Sequence, residues 1–176
     1  MSSLYTIAYP ELNATDNAFI DKFREANHPN ARSRIQAHFT LLYACSAVEL
    51  DIYLAHVAAV ASESGGISFE CKYAMLGADD ESEVAYTFLV PDKGYSAISL
   101  LHDALYRGPM ESHLRLDLPY TPHITIGSFA SRSVAKSACD ALNADGINIK
   151  GRISSLHVGS LLNGKFQHHG SYKTRT

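Results

Sequence analysis

Cysteine is scarce in this 176-residue chain: Cys45, Cys71 and Cys139 are the only three. They are odd in number, far apart and without the close spacing of zinc or redox motifs. That excludes a disulfide framework and reads as small core residues in a reducing compartment. Long apolar runs are missing too. The most apolar stretch, Ile52 to Ala61, contains His56 and falls well short of the ~20 residues a membrane helix needs. Met1 to Leu12 has no basic segment followed by an apolar one, so no signal peptide is expected and a cytoplasmic location is. Nor is there a surplus of positive charge. Fifteen Lys and Arg against 18 Asp and Glu leave a net −3, which argues against a duplex-coating surface, so duplex DNA is not an expected partner. Small or single-stranded phosphorylated ligands remain compatible. With 46% apolar and 19% charged residues and no low-complexity tract, the chain reads as an ordinary globular protein, long enough to bury a core without staples.

Periodicity outlines mixed α and β structure. Leu4 to Ala8 reads as a strand, and Phe19, Phe23 and Ala26 mark a helix that stops before Pro29. A strand holding His38 follows. Leu50, Leu54, Val57 and Ala61 then form one face of a helix closed by Gly65-Gly66. Ile67 to Met75 alternates as a half-buried strand, Gly77 to Ser82 is a polar turn, and Val84 to Val90 returns, ended by Pro91 and Gly94. The order then repeats: a helix with Ile98, Leu101 and Leu105 on one face, a strand holding His123, and a helix marked by Val134, Ala138, Ala141 and Leu142. Alternation over Ile147 to Ile153, a strand over Leu156 to Leu162, a turn at Asn163-Gly164 and a last strand over Lys165 to Lys173 complete the chain. Two motif strands half a chain apart predict an internal duplication about a pseudo-two-fold axis.

Those strands carry the functional signal. His38-Phe39-Thr40-Leu41 and His123-Ile124-Thr125-Ile126 write one pattern twice, His-apolar-Thr-apolar. In an extended strand His and Thr share one face while Phe39, Leu41, Ile124 and Ile126 enter the core. Two imidazoles with ordinary pKa values near ~6.5 suit phosphodiester chemistry, one removing a proton from the attacking oxygen and the other donating one to the leaving oxygen. The Thr hydroxyls on the same faces can donate to non-bridging phosphate oxygens. No metal or other cofactor is required by this chemistry.

The two tetrapeptides, the Tyr120-Thr121-Pro122 lead-in to His123 and the half-chain spacing resemble the 2H phosphoesterase superfamily, whose bacterial members are called 2′-5′ RNA ligase-like proteins or cyclic phosphodiesterases. The resemblance implies an α+β fold over residues 1–176, a single domain of two pseudo-symmetric lobes. Each lobe would be a small antiparallel sheet flanked by helices, with a central cleft. It also implies cleavage or formation of phosphodiesters, typically 2′,3′-cyclic phosphates or 2′-5′ linkages of nucleotides or RNA ends. His38 and His123 become the acid–base pair, Thr40 and Thr125 the phosphate ligands. 2′-5′ RNA ligation and a non-catalytic nucleotide- or RNA-binding module are the alternatives, with a metal-dependent hydrolase using the surplus histidines a further rival. A bilobal monomer needs no partner beyond its substrate.

Three further residues are candidate substrate contacts. Tyr120, in a loop, and Tyr43, next to a motif strand, can stack on a base, although strand parity puts Tyr43 on the Phe39–Leu41 side. Arg34 shares parity with His38 if the strand begins early. His56, His102, His113 and His157 lack metal-ligand spacing and read as structural or exposed. His168 and His169 point to opposite faces of a strand, which disfavours joint metal coordination.

Overall fold

The computed structural model describes residues 3–28, 35–78 and 84–176. In chain order its elements are β1 (Leu4–Ala8), β2 (Glu11–Leu12), α1 (Ala14–Asn27), β3 (Phe39–Cys45), α2 (Leu50–Glu63), β4 (Ile67–Ala78) and β5 (Ala85–Lys93). Then come α3 (Tyr95–Leu105), a 3-10 turn (Gly108–His113), β6 (Ile124–Phe129), α4 (Arg132–Asp145), β7 (Ile149–Ile153), β8 (Ser155–Leu162) and β9 (Lys165–Lys173). No described helix is long and apolar enough to cross a membrane.

The strands form one antiparallel sheet ordered β2-β7-β4-β5-β6-β3-β1-β8-β9. The two motif strands meet at its centre, where Phe39 pairs with Ile124. Around that pair the chain halves exchange hairpins. β4–β5, from the first half, extends the sheet from β6, whereas β8–β9, from the second, pairs with β1 beside β3. The expected α+β sheet with flanking helices is present, with each side of it built from both halves of the sequence.

Helices α1 and α4 pack on the β6 side, α2 on β8 and β9, and α3 across β3, β4 and β5. They cover the face carrying Phe39, Leu41, Ile124 and Ile126, all fully buried. The apolar stripes of two helices differ from the sequence expectation. In α2 the buried residues are Tyr53, Val57 and Ala61, while Leu50 is exposed at the first turn. In α4 they are Ala135, Cys139 and Leu142, with Val134 half exposed. Each true stripe runs at i, i+4 and i+7 or i+8, and one or two apolar residues beside it shifted the reading by a position. Pro91 also sits inside β5 rather than ending it. The pairing slips between Cys71–Pro91 and Tyr73–Val90, and such an irregularity is where a residue without an N–H is tolerated.

Candidate active site

Each motif histidine is held by the same local hydrogen bond. His38 Nδ1 lies 2.8 Å from the carbonyl oxygen of Gln36, and His123 Nδ1 lies 2.7 Å from that of Thr121. A carbonyl oxygen only accepts, so Nδ1–H donates and in the neutral ring Nε2 is left with its lone pair available for a proton. Both residues are made rigid by a bond reaching two positions back along the chain.

The central pairing brings the two motifs together. From Phe39 opposite Ile124, antiparallel register sets His38 across from Thr125 and Thr40 across from His123. All four side chains line one cavity of about 710 Å³, within the range that encloses a small-molecule ligand.

A second repeat is visible only in the pairing. Between Thr6 and Ile7, β1 advances one residue while β3 advances two, from Leu42 to Thr40. Between Thr87 and Phe88, β5 advances one while β6 advances two, from Gly127 to Thr125. The skipped residues are Leu41 and Ile126, the fourth position of each tetrapeptide. A β-bulge here turns the strand so that two successive residues face the core; Leu41 and Leu42 are both buried. The parity expectation for Tyr43 is thereby corrected: beyond the bulge it rejoins the His38–Thr40 face and lines the cavity, with its amide donating to the Tyr106 hydroxyl at 3.1 Å.

Tyr120 does not line this cavity. Its ring stacks on His102 at 3.7 Å and 12°, and its hydroxyl donates to the Thr40 carbonyl at 3.0 Å. It braces the motif strands from beneath. His102, expected to be structural or exposed, is buried and takes the structural role. Arg34 lies outside the described residues.

The cavity also has walls that the sequence reading missed. Phe88 of β5 stacks on His123 with ring centroids 3.9 Å apart and planes 25° apart, and Tyr86 stacks on Phe88 in turn. Tyr5 and Met75 contribute further apolar surface. Arg115 stands among the lining residues, its guanidinium bonded to the Asp117 carboxylate at 2.6–3.1 Å; those bonds hold the Asp117 carboxyl below its usual range. The alternation Tyr86-Thr87-Phe88 marks Phe88 as facing one side of a strand, but which strand it neighbours is not written locally. Arg115 had no local signal at all.

Burial lowers both imidazole pKa values. His38 is pushed down to about 4, first by desolvation and then by the positive charges of Arg24, His123 and His28, against the raising effect of the Gln36 carbonyl. His123 is lowered by desolvation against the Thr121 carbonyl. The two rings therefore differ: the Arg24 guanidinium and two further imidazoles act on His38, whereas an aromatic face covers His123.

The model of the 2′-5′ RNA ligase superfamily matches residues 11–165. The chain belongs to that superfamily. No curated protein sequence matches the chain, but solved structures do. A phosphoesterase crystal structure is 16% identical, with 99% of each chain covered and a TM-score of 0.60. E. coli LigT complexed with ATP is 18% identical, with 99% of each chain covered and a TM-score of 0.60. Kluyveromyces marxianus Usb1 is 10% identical over 95% of this chain and 97% of its own, with a TM-score of 0.58. At these identities the structures show a shared fold, so within the superfamily the chemistry must be argued from the residues of this cavity.

Proposed function

We propose that this superfamily member is a phosphodiesterase that opens 2′,3′-cyclic phosphates or cleaves 2′-5′ linkages of nucleotides or RNA ends, with His38 and His123 as its proton-transfer pair. The observation that carries this reading is the pair of imidazoles, identically locked through Nδ1, on one cavity with a Thr beside each. A binding module has no use for two such groups.

For a cyclic phosphate, His38 is the base. Its depressed pKa keeps it neutral across physiological pH, so Nε2 takes a proton as a water oxygen attacks phosphorus. The bond from phosphorus to one ribose oxygen breaks, and that oxygen receives the proton carried on His123 Nε2. The anionic phosphate bound between the rings favours the charged imidazole and restores the proton that burial discourages on His123. The Thr40 and Thr125 hydroxyls donate to the non-bridging oxygens, where negative charge builds up. With a hydroxyl of a second nucleotide attacking phosphorus in place of water, the same proton transfers give ligation. E. coli LigT structures holding 3′-AMP and phosphate support a nucleotide ligand for this cavity. The three buried free cysteines suit a reducing cytoplasm.

The test is turnover of a panel of 2′,3′-cyclic nucleotides and 2′-5′-linked dinucleotides, with and without chelator. Wild type turns over at least one, chelator leaves the rate unchanged, and His38→Ala and His123→Ala each lower it by roughly 10²–10⁴-fold. Tight nucleotide binding without turnover of any member would replace this reading by the binding-module alternative.

A further inference from the structure

Beyond His38 lies a second hollow of about 200 Å³, lined by Tyr9, Ile35, Gln36, Phe166 and His168. It shares a wall with the site already described. The Gln36 carbonyl is the one that locks His38, and the Tyr9 ring stands edge-on to the His38 ring at 6.5 Å. Its volume is below the ~300–1,000 Å³ of cavities that enclose a whole small molecule, so it admits one flat ring.

Three observations give the hollow its chemistry. First, its walls are aromatic: Tyr9 and His168 approach at 5.9 Å, Phe166 and His168 at 4.9 Å, and the Tyr9 hydroxyl meets His168 Nε2 at 3.4 Å. Second, it opens on the catalytic face. Tyr5, which lines the main cavity, pairs with Gly159, and directly paired residues point to one side of a sheet. The Phe166 ring occupies the space where a Gly159 Cβ would be, within 2.5 Å of it, so Phe166 lies on Tyr5's side. Third, among the described residues no carboxylate lines it, whereas the Gln36 amide offers both a donor and an acceptor to a base edge.

We infer that the Tyr9–Phe166–His168 hollow is a second nucleoside subsite, which takes the base attached to the 5′ oxygen of the scissile phosphodiester. This rests on the phosphodiesterase reading and extends it to a dinucleoside monophosphate that spans both hollows. In such a substrate the free ribose hydroxyl beside the linkage attacks phosphorus and gives its proton to His123. The bond from phosphorus to the 5′ oxygen breaks, and that oxygen takes the proton that the bound phosphodiester anion holds on the His38 ring against its lowered pKa, leaving a cyclic phosphate and a free nucleoside. The nucleoside thus sits where water enters for hydrolysis, on the His38 side. It also gives a role to the β9 histidine that no motif explained.

The experiment compares kcat/KM for 2′-5′-linked diadenosine monophosphate with that for adenosine 2′,3′-cyclic phosphate, in wild type, Phe166→Ala, His168→Ala and Phe166→Tyr. The dinucleotide-to-cyclic ratio falls about ten-fold in each Ala variant, the scale of one lost base–aromatic stack, and is restored in Phe166→Tyr. A ratio that does not change, or both substrates slowed in proportion as a structural role would produce, overturns the subsite. If wild type turns over neither compound, the phosphodiesterase reading fails. Calorimetric affinities of adenosine 2′,3′-cyclic phosphate and the dinucleotide then decide the subsite alone: a ten-fold loss confined to the dinucleotide keeps it, and equal or absent losses, or no dinucleotide binding by wild type, discard it.

Discussion

The Tyr120 hydroxyl donates to the Thr40 carbonyl at 3.0 Å, tying the segment that enters one motif strand to the middle of the other. Tyr120 is also held from behind by the His102 ring and by the Tyr95 hydroxyl on its own carbonyl at 3.4 Å. Tyr120→Phe keeps the stack and removes the latch. It costs about 1 kcal/mol of stability, the net worth of a typical hydrogen bond, and lowers kcat more than it raises KM because Thr40 and His123 lose their mutual placement. Thermal unfolding and steady-state kinetics read the two effects separately.

His38→Ala and His123→Ala each reduce turnover by roughly 10²–10⁴-fold, the usual contribution of one general acid or base. The double variant loses much less than the product of the two, since either ring alone cannot complete the proton transfers. Circular dichroism of all three variants matches wild type, because both rings line a cavity rather than the core.

Thr40→Ala and Thr125→Ala remove hydroxyls beside the phosphate site. Each lowers kcat by about 10²-fold, the scale of a lost donor to a developing oxyanion, with no displacement of the pH profile. Replacement by Ser recovers most of the rate.

The histidines also set the response to pH. With His38 at about 4 when folded and ~6.5 when unfolded, the unfolded chain binds more protons between those values. Stability therefore falls as pH drops from about 6.5 towards 4, and His123, lowered in the same direction, adds to the slope. Urea titrations across this window show the loss, and His38→Gln reduces it. In an NMR titration of the free protein the His38 ring protonates near pH 4, and added inorganic phosphate moves both ring midpoints upward.

Phe88→Ala uncovers His123, whose ring now rests on the Phe88 face at 3.9 Å. Water reaches the imidazole, its pKa rises towards the ordinary value, and the freed ring costs about ten-fold in kcat. The basic limb of the kcat profile moves to higher pH, and NMR of the His123 ring gives the same displacement.

Much of this was legible in the residues. Periodicity located the described strands and helices other than the two-residue β2 and the 3-10 turn, because an apolar residue in every second or every third to fourth place is what a sheet or helix face needs to reach a core. Two copies of His-apolar-Thr-apolar were enough to nominate His38, Thr40, His123 and Thr125, since alternation alone sends the polar pair to one face. Tyr43 and Tyr120 were the misplacements. Tyr43 crosses to the cavity because Leu41 drops out of the pairing with β1, and a bulge is a property of two strands together. Tyr120 turns inward because His102 and the Thr40 carbonyl, distant along the chain, offer a stacking face and an acceptor.

Local sequence therefore determined the elements, the polar faces of both motif strands and the Nδ1 locks, all of which depend on residues within a few positions of one another. Tertiary structure alone decided that β6 lies beside β3, that each half of the chain lends a hairpin to the other's side of the sheet, and that Phe88, Arg115, Tyr9 and His168 surround the imidazoles. The physical reason is that pairing between distant strands is chosen by the burial of the whole sheet, a sum over both faces and all the described strands that no window of sequence contains.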